Sequence, residues 1–344
     1  MKKQTIRFST ASTTFYFDAS FDLLETITSK DNAVIITDDN IFCSSNHKKF
    51  KGWKTIVLKA GEEHKVQHTV DIIIDQLIDF GCDRKSFLIG IGGGVVTDIT
   101  GYVAGVFMRG IQFGFVPTSI LAMVDASIGG KNGIDVGVYK NIVGLIRQPS
   151  FLLYDYSLLK TLPKTEWVNG FAEIIKHAAI KDAAMFKLLE QHILNDFKQD
   201  TSLLNKLIQH NALLKAKVVV EDEFETGDRK LLNFGHTFGH AIENTYQLPH
   251  GHAVAIGMVM ACMISTSYKN FKDTNRVVEL IKKYGLPVHQ KYKAAEVLEV
   301  MKADKKKVRD VISYVLLEKI GKAVVQPITI SEVENIIAQL ESKQ

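Results

Sequence analysis

Short apolar runs alternate with helical segments up to about residue 160, and this alternation restricts the fold more than any other feature of the sequence. The predicted strands cover residues 33–37, 55–58, 86–91, 111–116 and 151–155, and the predicted helices cover residues 70–80 and 95–107. Strands and helices that alternate in this way form a mostly parallel sheet with helices on both faces. We therefore predict an N-terminal α/β domain of the Rossmann-like class.

The second half of the sequence has a mainly helical pattern. Apolar residues at helical spacing predict helices over residues 167–197, 202–220, 232–246, 253–268, 274–284 and 331–341. Residues 311–317 and 323–328 have strand character and predict a small hairpin. Because the pattern changes at Pro163, we predict an α/β domain at residues 1–163 and a mainly α-helical domain at residues 164–344.

Composition excludes several classes of protein. The 344 residues carry a net charge of +4 at pH 7, and the densest basic run, at residues 305–307, is too short to indicate nucleic-acid binding. The three cysteines lie far apart without a C-x-x-C pair, so we expect neither a disulfide framework nor cysteine-bound zinc. The apolar stretch at residues 253–264 is too short to cross a membrane. We expect a cytoplasmic protein that binds neither nucleic acid nor a membrane.

A glycine turn follows the third predicted strand. Gly92, Gly93 and Gly94 let a ligand approach the backbone, and the helix after them presents unpaired N–H groups to an anion. The pyrophosphate of a dinucleotide suits this arrangement, and Asp98 could line the same pocket. Three glycines could also form a simple tight turn, since the pattern is not G-x-G-x-x-G.

A Gly-rich loop, predicted over residues 129–139, lies among several polar side chains. These are Thr118, Ser119, Asp125, Lys131, Lys140 and Asn141. Hydroxyl, carboxylate, ammonium and amide groups together can hold phosphate, hydroxyl and carboxylate oxygens. A solvated surface loop has the same composition, so both interpretations remain open at this point.

Two helical segments carry groups that suit a metal ion. Glu173, Lys176 and His177 share one helix face, and His236 and His240 are one turn apart on another. The histidine pair suits one metal, or a metal and a neighbouring substrate group, although it could also lie on a polar helix face. With His250 nearby, one carboxylate and two or three imidazoles make a set typical of catalytic zinc.

Taken in order, these motifs resemble the 3-dehydroquinate synthase family of the sugar phosphate cyclase superfamily. They are residues 92–98 (GGGVVTD), 108–110 (MRG), 117–119 (PTS), 124–127 (VDAS), 129–131 (GGK), 140–141 (KN), 172–176 (AEIIK), 232–237 (LNFGHT), 239–243 (GHAIE) and 250–251 (HG). The likeness runs from about Asp38 to Lys306. Iron-dependent alcohol and glycerol dehydrogenases share the glycine turn but lack the Gly-Gly-Lys and Asn-Phe-Gly-His stretches.

The resemblance implies two cofactors. Zinc, or cobalt in its place, would be bound by Glu173, His236 and His250, which leaves His240 as a substrate contact or proton carrier. The implied NAD contacts are Asp38, Asn40, Glu62, Lys65, Gly92, Gly93, Gly94, Asp98, Thr118, Ser119, Asp125, Lys131, Lys140 and Thr161.

The resemblance also implies a small anionic sugar-phosphate substrate and a homodimer. The implied substrate contacts are Asp125, Lys131, Asn141, Lys176, Lys215, Arg229, Asn233, His240 and Lys305, and Arg109 would reach them from the second subunit. The implied reaction converts 3-deoxy-arabino-heptulosonate 7-phosphate to 3-dehydroquinate and phosphate. Its steps are transient oxidation of one alcohol with NAD, β-elimination of phosphate, return of the hydride and an intramolecular aldol closure.

Four positions depart from the usual motifs of the family. Thr97 replaces a glycine, Thr165 replaces an arginine and His252 replaces a glutamate, while the fourth departure is the loop where Asn132 and Asp135 stand in place of Thr and Asn. Two alternative functions therefore accompany the main expectation. One is another sugar phosphate cyclase, and the other is a metal-dependent polyol dehydrogenase that would accumulate NADH.

Overall fold

The computed structural model describes residues 1–137, 139–304 and 311–341, and for residues 302–304 and 340 it describes the backbone alone. Lys305, one of the expected substrate contacts, lies outside the described residues. The chain forms two units, Met1–Trp167 with Thr201–Phe224, and Val168–Asp200 with Glu225–Gln344. The sequence suggested a single boundary near Pro163, whereas the structure assigns residues 201–224 to the first unit.

The strands are β1 (Lys2–Arg7), β2 (Ser12–Phe17), β3 (Ala33–Asp38), β4 (Lys54–Leu58), β5 (Phe87–Gly92), β6 (Gln112–Pro117), β7 (Lys131–Val136), β8 (Tyr139–Ile146), β9 (Phe151–Tyr154), β10 (Val311–Lys319) and β11 (Lys322–Thr329). The α-helices are α1 (Leu24–Ile27), α2 (Asp39–Phe42), α3 (Gln67–Asp79), α4 (Gly94–Val106), α5 (Lys164–Lys181), α6 (Ala183–Gln191), α7 (Leu194–Gln199), α8 (Thr201–Glu221), α9 (His236–Tyr246), α10 (His250–Lys269), α11 (Thr274–Lys283), α12 (Ala294–Asp304) and α13 (Ile330–Glu341). Shorter helical turns are named where they carry a site residue.

The first unit contains a sheet of seven strands among the described residues, in the order β1-β2-β9-β6-β5-β3-β4. All neighbouring pairs are parallel except β1 with β2. The central strands β3, β5, β6 and β9 are buried along nearly their whole length, as expected when helices cover both faces of a parallel sheet. The predicted Rossmann-like α/β fold is confirmed.

The order of these strands reverses beside β3. The chain passes from β3 to β4 on one side and then to β5 on the other side. Ligands of open α/β sheets bind outside the carboxyl ends of the strands at such a reversal. The glycine turn, Asp38 and Thr118 all follow carboxyl ends of strands at this edge of the sheet.

Residues 131–146 form a hairpin rather than the predicted Gly-rich loop. β7 and β8 pair in antiparallel register, with Gly133 opposite Gly144. The two backbones are so close there that a Cβ on Gly133 would lie 2.7 Å from the Val143 carbonyl oxygen. The glycines thus permit close pairing of two strands, and the loop prediction for this segment was wrong.

The second unit is mainly helical, and the predicted hairpin of β10 and β11 is confirmed. One apolar core joins α9, α10, α12, α13 and the hairpin, with Ile242, Ile256, Leu316 and Ile337 among its buried residues. Helix α10 is the one helix of the described residues that is long and apolar enough to cross a membrane, but 72% of that window is buried inside the structure. Core helices pass the same test, so α10 is accounted for as a core helix.

Candidate active site

The glycine turn of the first unit offers an anion the unpaired end of a helix. Gly93 is the N-cap of α4, and no side chain accepts a hydrogen bond from the first turn there. A Cβ on Gly93 would lie 3.6 Å from the Ser119 hydroxyl oxygen, so glycine leaves the space between backbone and hydroxyl open. The Thr118 N–H donates to the Gly92 carbonyl at 2.9 Å and joins the ends of β5 and β6. These residues fit a dinucleotide phosphate.

Lys65 lies at the centre of a charged network beside this turn. Its Nζ atom is 2.6 Å from Asp98 Oδ2 and 3.8 Å from Glu62 Oε1, and it donates to Asn141 Oδ1 at 2.5 Å. Burial alone would lower the pKa of Lys65, but Asp98 and Glu62 outweigh burial and raise it above its usual range. The side chain is therefore a permanent cation in this unit, and it links four of the expected contact residues.

Three of the residues that depart from the family motifs have a structural role here. Asp135 Oδ1 accepts a hydrogen bond of 2.6 Å from the backbone N–H of Asn141, a residue with a left-handed φ of 54°. The Asp135 N–H in turn donates to the Lys65 carbonyl at 2.8 Å. The buried Asn132 side chain donates to two backbone carbonyls, at 2.6 and 3.0 Å. The Thr97 hydroxyl donates to a carbonyl of its own helix at 2.9 Å. Asp135 thus holds the turn that directs Asn141 towards Lys65.

The remaining expected residues of the first unit occupy several elements. Asp38 ends β3 and accepts a hydrogen bond of 3.0 Å from the Ile41 N–H, while Asn40 lies exposed in α2. Lys131 begins β7, Lys140 lies in β8, and both are exposed. Thr161 ends a 3₁₀ segment after β9, where its hydroxyl donates to a local carbonyl at 3.5 Å.

Asp125 and Lys215 form an ion pair within the first unit. Asp125 lies in a π-helical turn at Ala122–Ala126, and Lys215 comes from α8. The Lys215 ammonium contacts the Asp125 carboxylate and also donates to its backbone carbonyl at 2.6 Å. π-helical turns occur frequently at functional sites, and this one presents Asp125 to Lys215, so that the two residues predicted to meet substrate lie together.

The second unit brings Glu173, His236 and His250 together. His236 Nε2 is 3.7 Å from Glu173 Oε1, and His250 Nε2 is 3.3 Å from the same oxygen. One donor atom from each of the three residues lies within 4.8 Å of the others. Donors of a tetrahedral zinc site lie about 3.3 Å apart, given bonds of roughly 2.0–2.1 Å. The spacing and the donor types therefore fit one divalent cation with a coordination position left for substrate.

Close contacts at glycines set this geometry. Gly235 is the N-cap of α9 and has a left-handed φ of 80°. The helix therefore begins at His236, four residues later than predicted. A Cβ on Gly239 would lie 2.9 Å from the Ala253 carbonyl oxygen, so α9 and α10 pack backbone to backbone. The N–H of Gly251 contacts the Asn169 side chain of α5. These contacts bring His250 close to the helix that carries Glu173.

Hydrogen bonds fix how both histidine rings point. His236 Nδ1 is 3.1 Å from the Phe234 carbonyl oxygen, and His250 Nδ1 is 3.2 Å from Glu243 Oε2. Both partners only accept, so Nδ1 carries the hydrogen and Nε2 faces Glu173. Burial, with Lys176 nearby, lowers the pKa of His236 well below its usual value. Burial opposes protonation of His250, but Glu173 and Glu243 raise its pKa to about 10, so these carboxylates favour positive charge.

Two other expected residues of the second unit, Lys176 and His240, lie next to this set. Lys176 is buried and contacts Glu173, and the exposed His240 ring has its centroid 5.0 Å from that of His236. Arg229 is buried, and Asn233 donates to Glu225 Oε1 at 2.8 Å.

Sequence reasoning missed Glu225 and Glu243. Glu225 has a left-handed φ of 59° and meets Asn233, while Glu243 meets His250. Glu243 had a usable signal, because it lies seven residues after His236 on the same helix face.

Comparison with known proteins agrees with this arrangement. A family model described as 3-dehydroquinate synthase N-terminal matches residues 55–169, and one described as 3-dehydroquinate synthase C-terminal matches residues 170–307. A 3-dehydroquinate synthase of Pyrococcus abyssi is 42% identical over 79% of this chain and 81% of its own length. That of Nitrosospira multiformis is 44% identical over 78% of this chain and 75% of its own length.

Solved structures show the same fold. A 2-epi-5-epi-valiolone synthase from Streptomyces hygroscopicus, with NAD+ and Zn2+ bound, has a TM-score of 0.82 at 28% identity and covers 91% of this chain and 92% of its own. A 2-deoxy-scyllo-inosose synthase complexed with carbaglucose-6-phosphate, NAD+ and Co2+ has a TM-score of 0.86 at 24% identity, covering 98% and 100%. Fold and site thus define a sugar phosphate cyclase.

Within that class the sequence comparisons make the narrower assignment. The chain belongs to the 3-dehydroquinate synthase family, and it is an enzyme of that activity.

Proposed function

We propose that this chain uses NAD and one divalent metal ion to convert 3-deoxy-arabino-heptulosonate 7-phosphate to 3-dehydroquinate and phosphate. The observation that carries the proposal is the buried Glu173 with two imidazole Nε2 atoms 3.3 and 3.7 Å from one of its oxygens. Support for this substrate comes from the relatives named 3-dehydroquinate synthase, which are 41–44% identical. The cyclase structures that act on other substrates are 24–28% identical.

Glu173, His236 and His250 would hold the metal, and the glycine turn with Asp98, Ser119 and the neighbouring contacts would hold NAD. A zinc or cobalt ion bound by these three ligands supplies a Lewis acid for a substrate alcohol. NAD supplies a hydride acceptor that is restored within each turnover, so the net redox change is nil.

The chain's own cations would orient the anionic substrate. Lys176 is 1% exposed, and its ammonium group is therefore poorly hydrated, which strengthens its attraction for an anion. Lys215 is held by Asp125, and Arg229 is buried in the second unit. Anchoring carboxylate and phosphate groups at fixed points pre-orients the reacting atoms and removes part of the entropic barrier.

His240 would carry a proton at its imidazole. Its ring is exposed, unlike the two neighbouring metal-ligand candidates, and its centroid is 6.2 Å from that of His250. An exposed imidazole near a metal site can exchange protons between substrate oxygen and solvent near neutral pH.

We further propose a homodimer in which Arg109 acts on the neighbouring active site. Met108, Arg109 and Gly110 have successive φ values of 52°, 66° and 115°, a strained turn that leaves the arginine exposed. Strain of this kind concentrates at functional positions. Strand β8 runs next to the same end of α4, and its side chains Tyr139, Ile142 and Val143 are apolar and exposed. We propose that a second copy of the chain covers this strand.

The proposed location is the cytoplasm. The cysteines Cys43, Cys82 and Cys262 are free in the structure, which agrees with a reducing compartment.

The test is a substrate panel with phosphate release and NADH absorbance recorded together. We expect phosphate from 3-deoxy-arabino-heptulosonate 7-phosphate, with none from sedoheptulose 7-phosphate or glucose 6-phosphate and no accumulation of NADH. Phosphate release from either of the other sugars would make the chain a different cyclase. NADH that accumulates without phosphate would make it a polyol dehydrogenase.

A further inference from the structure

We propose that Glu243 is a positioning residue for the metal site. It holds His250 in the tautomer and ring orientation that direct Nε2 to the metal, and it thereby sets the affinity for the ion. The inference rests on the proposed metal site formed by Glu173, His236 and His250.

The His250 ring lies between two carboxylates and uses a different nitrogen towards each. Glu243 Oε2 is 3.2 Å from Nδ1, and Glu173 Oε1 is 3.3 Å from Nε2. At the proposed site Nε2 would give its lone pair to the metal that it shares with Glu173, so the hydrogen of the neutral ring would lie on Nδ1, where the Glu243 carboxylate accepts it. Glu243 is 5% exposed, and a buried carboxylate with a hydrogen-bonded partner has little freedom to move away.

Helix α9 presents this carboxylate on the same face as the other site residues. His236, His240 and Glu243 occupy positions i, i+4 and i+7, which form one stripe along a helix. His250 begins α10, which packs closely against α9 at Gly239. One helix thus supplies a metal ligand, a substrate contact and the partner that orients a ligand on the next helix.

The two histidine ligands differ in what orients them. The Nδ1 of His236 is bonded to a backbone carbonyl, which no substitution removes, whereas that of His250 is bonded to a side chain. A carboxylate partner increases the basicity of the imidazole more than a neutral carbonyl does, and such outer partners change metal affinity by about 10- to 100-fold. The bond from His250 to the metal is therefore the one that a side-chain substitution can tune.

A different role for Glu243 would be direct coordination. Donor atoms of His240, Glu243 and His250 also lie within 4.8 Å of one another. In that arrangement His250 would turn its Nδ1 side to the ion, but Glu243 already meets this nitrogen while Nε2 faces Glu173. The geometry favours positioning, and the experiment separates the two roles.

The experiment measures zinc and cobalt affinity of the metal-free full chain by competition with a chromophoric chelator. Glu243→Ala should bind about 10- to 100-fold more weakly. Glu243→Gln should lose less, since its amide oxygen still accepts from Nδ1, and the cobalt absorption spectrum should stay unchanged. Glu190→Gln is the matched control, because both carboxylate oxygens of Glu190 accept from Arg276 at 3.0 Å in the same unit.

Three outcomes would overturn the proposal. One is a Glu243→Ala affinity within the range of the Glu190→Gln control. Another is a changed cobalt spectrum in Glu243→Gln with a loss as large as in Glu243→Ala, which would make Glu243 a ligand. The third outcome applies if Glu243→Ala does not fold. In that case, a metal affinity of Glu243→Gln equal to that of the unmodified chain would contradict the proposal. Metal binding is measured without substrate, so its result is independent of whether the proposed reaction is correct.

Discussion

His236 and His240 lie one helical turn apart, yet their surroundings differ. The His236 side chain is 12% exposed and lies 3.7 Å from the buried Glu173 carboxylate, whereas His240 is exposed. A buried, neutral imidazole beside a carboxylate suits a metal ligand, and an exposed one suits proton exchange with a ligand in solvent. We therefore propose different roles for these two histidines, because the environment of the helix differs from turn to turn.

Substitution of each histidine should separate the two roles. We expect His236→Ala to lose both bound metal and phosphate release, and His240→Ala to keep the metal while phosphate release falls by about 100-fold or more, the loss typical of a general acid–base residue. Metal content by mass spectrometry and phosphate release measure the two effects. Loss of metal in His240→Ala would contradict this division, and His192→Ala, a surface histidine paired with Asp196, is the control.

Part of this site was predicted from the sequence alone. Spacing paired His236 with His240, and the donor types placed Glu173 and His250 with them in a zinc-type set, but which of these residues meet depends on how α5, α9 and α10 pack. The resemblance to a family narrowed the set to Glu173, His236 and His250. The helical position of Glu243 placed it on the same face as His236, but its partner His250 begins the next helix and is seen only in the structure.

At the scale of elements, glycines at the contact of α9 and α10 determine how close the histidines come. Gly239→Ala places a Cβ 2.9 Å from the Ala253 carbonyl oxygen, so the helices must separate. We expect a loss of about 1–3 kcal/mol in the free energy of unfolding, as in other overpacked cores, together with weaker metal binding. Chemical denaturation and chelator competition measure these quantities.

Gly81→Ala is the control for the effect of glycine replacement itself. Gly81 has a φ of 69° but no atom within 4 Å of an added Cβ, so the change adds backbone strain without a clash. It should lower stability by about 1 kcal/mol and leave metal affinity unchanged. Equal metal affinity in Gly239→Ala and Gly81→Ala would contradict the role assigned to helix contact.

Glu223 lies two residues after α8 and is hydrogen-bonded to the β1–β2 turn within the first unit. Its carboxylate accepts from the Ser9 N–H at 2.8 Å, the Thr10 hydroxyl at 2.8 Å and the Gln148 amide at 2.8 Å. Burial would raise the pKa of Glu223, but these hydrogen bonds outweigh it and lower the pKa below 4.5. The carboxylate therefore contributes stability above its unfolded pKa, and this is lost as pH falls through the folded pKa.

Glu223→Gln should accordingly be less stable by about 1–2 kcal/mol at neutral pH, the scale of hydrogen bonds to a charged group. The difference from the unmodified chain should shrink as pH falls below 4.5. Urea denaturation at a series of pH values measures it. A difference that stays constant or grows on acidification would show that the charge of Glu223 is not what stabilises the turn.

Prediction of elements succeeded where the pattern was strong and failed where glycine was abundant. The buried strands β3, β5 and β6 and the hairpin of β10 and β11 were all predicted, because apolar runs of strand length have few alternatives. Residues 129–139 were predicted as a loop, since glycine usually breaks strands, whereas residues 131–146 form a hairpin. Here the glycines face each other across β7 and β8 and permit close backbone pairing, which only the paired structure reveals.

At the scale of the whole molecule, the fold leaves the reaction undecided. A probable glycerol dehydrogenase from Sinorhizobium meliloti and an iron-containing alcohol dehydrogenase from Thermotoga maritima have TM-scores of 0.61 and 0.66 to this chain at 15% and 12% identity. A dehydrogenase releases NADH, whereas the proposed reaction returns the hydride. One architecture thus hosts different chemistries, and we propose that residues such as Lys176 and His240 determine which one this chain performs.

The proposed dimer predicts complementation between two inactive variants. Arg109→Ala and Lys176→Ala should each lose phosphate release. A mixture that exchanges subunits should recover up to about a quarter of the activity, because half of the dimers of a two-fold assembly are mixed and each has one complete site. No recovery, with mixed dimers demonstrated by mass spectrometry, would contradict action of Arg109 across subunits.

We propose that this chain oxidises its substrate with NAD, eliminates phosphate and returns the hydride, and that Glu173, His236 and His250 would hold the metal this requires. The most direct measurement records phosphate and NADH together during turnover of 3-deoxy-arabino-heptulosonate 7-phosphate, first with the metal-free enzyme and then after zinc is restored. We expect no phosphate release from the metal-free enzyme. After zinc is restored, we expect phosphate and 3-dehydroquinate in equal amounts and no net formation of NADH. Phosphate release that is equal with and without metal, or NADH that rises in step with phosphate, would contradict it.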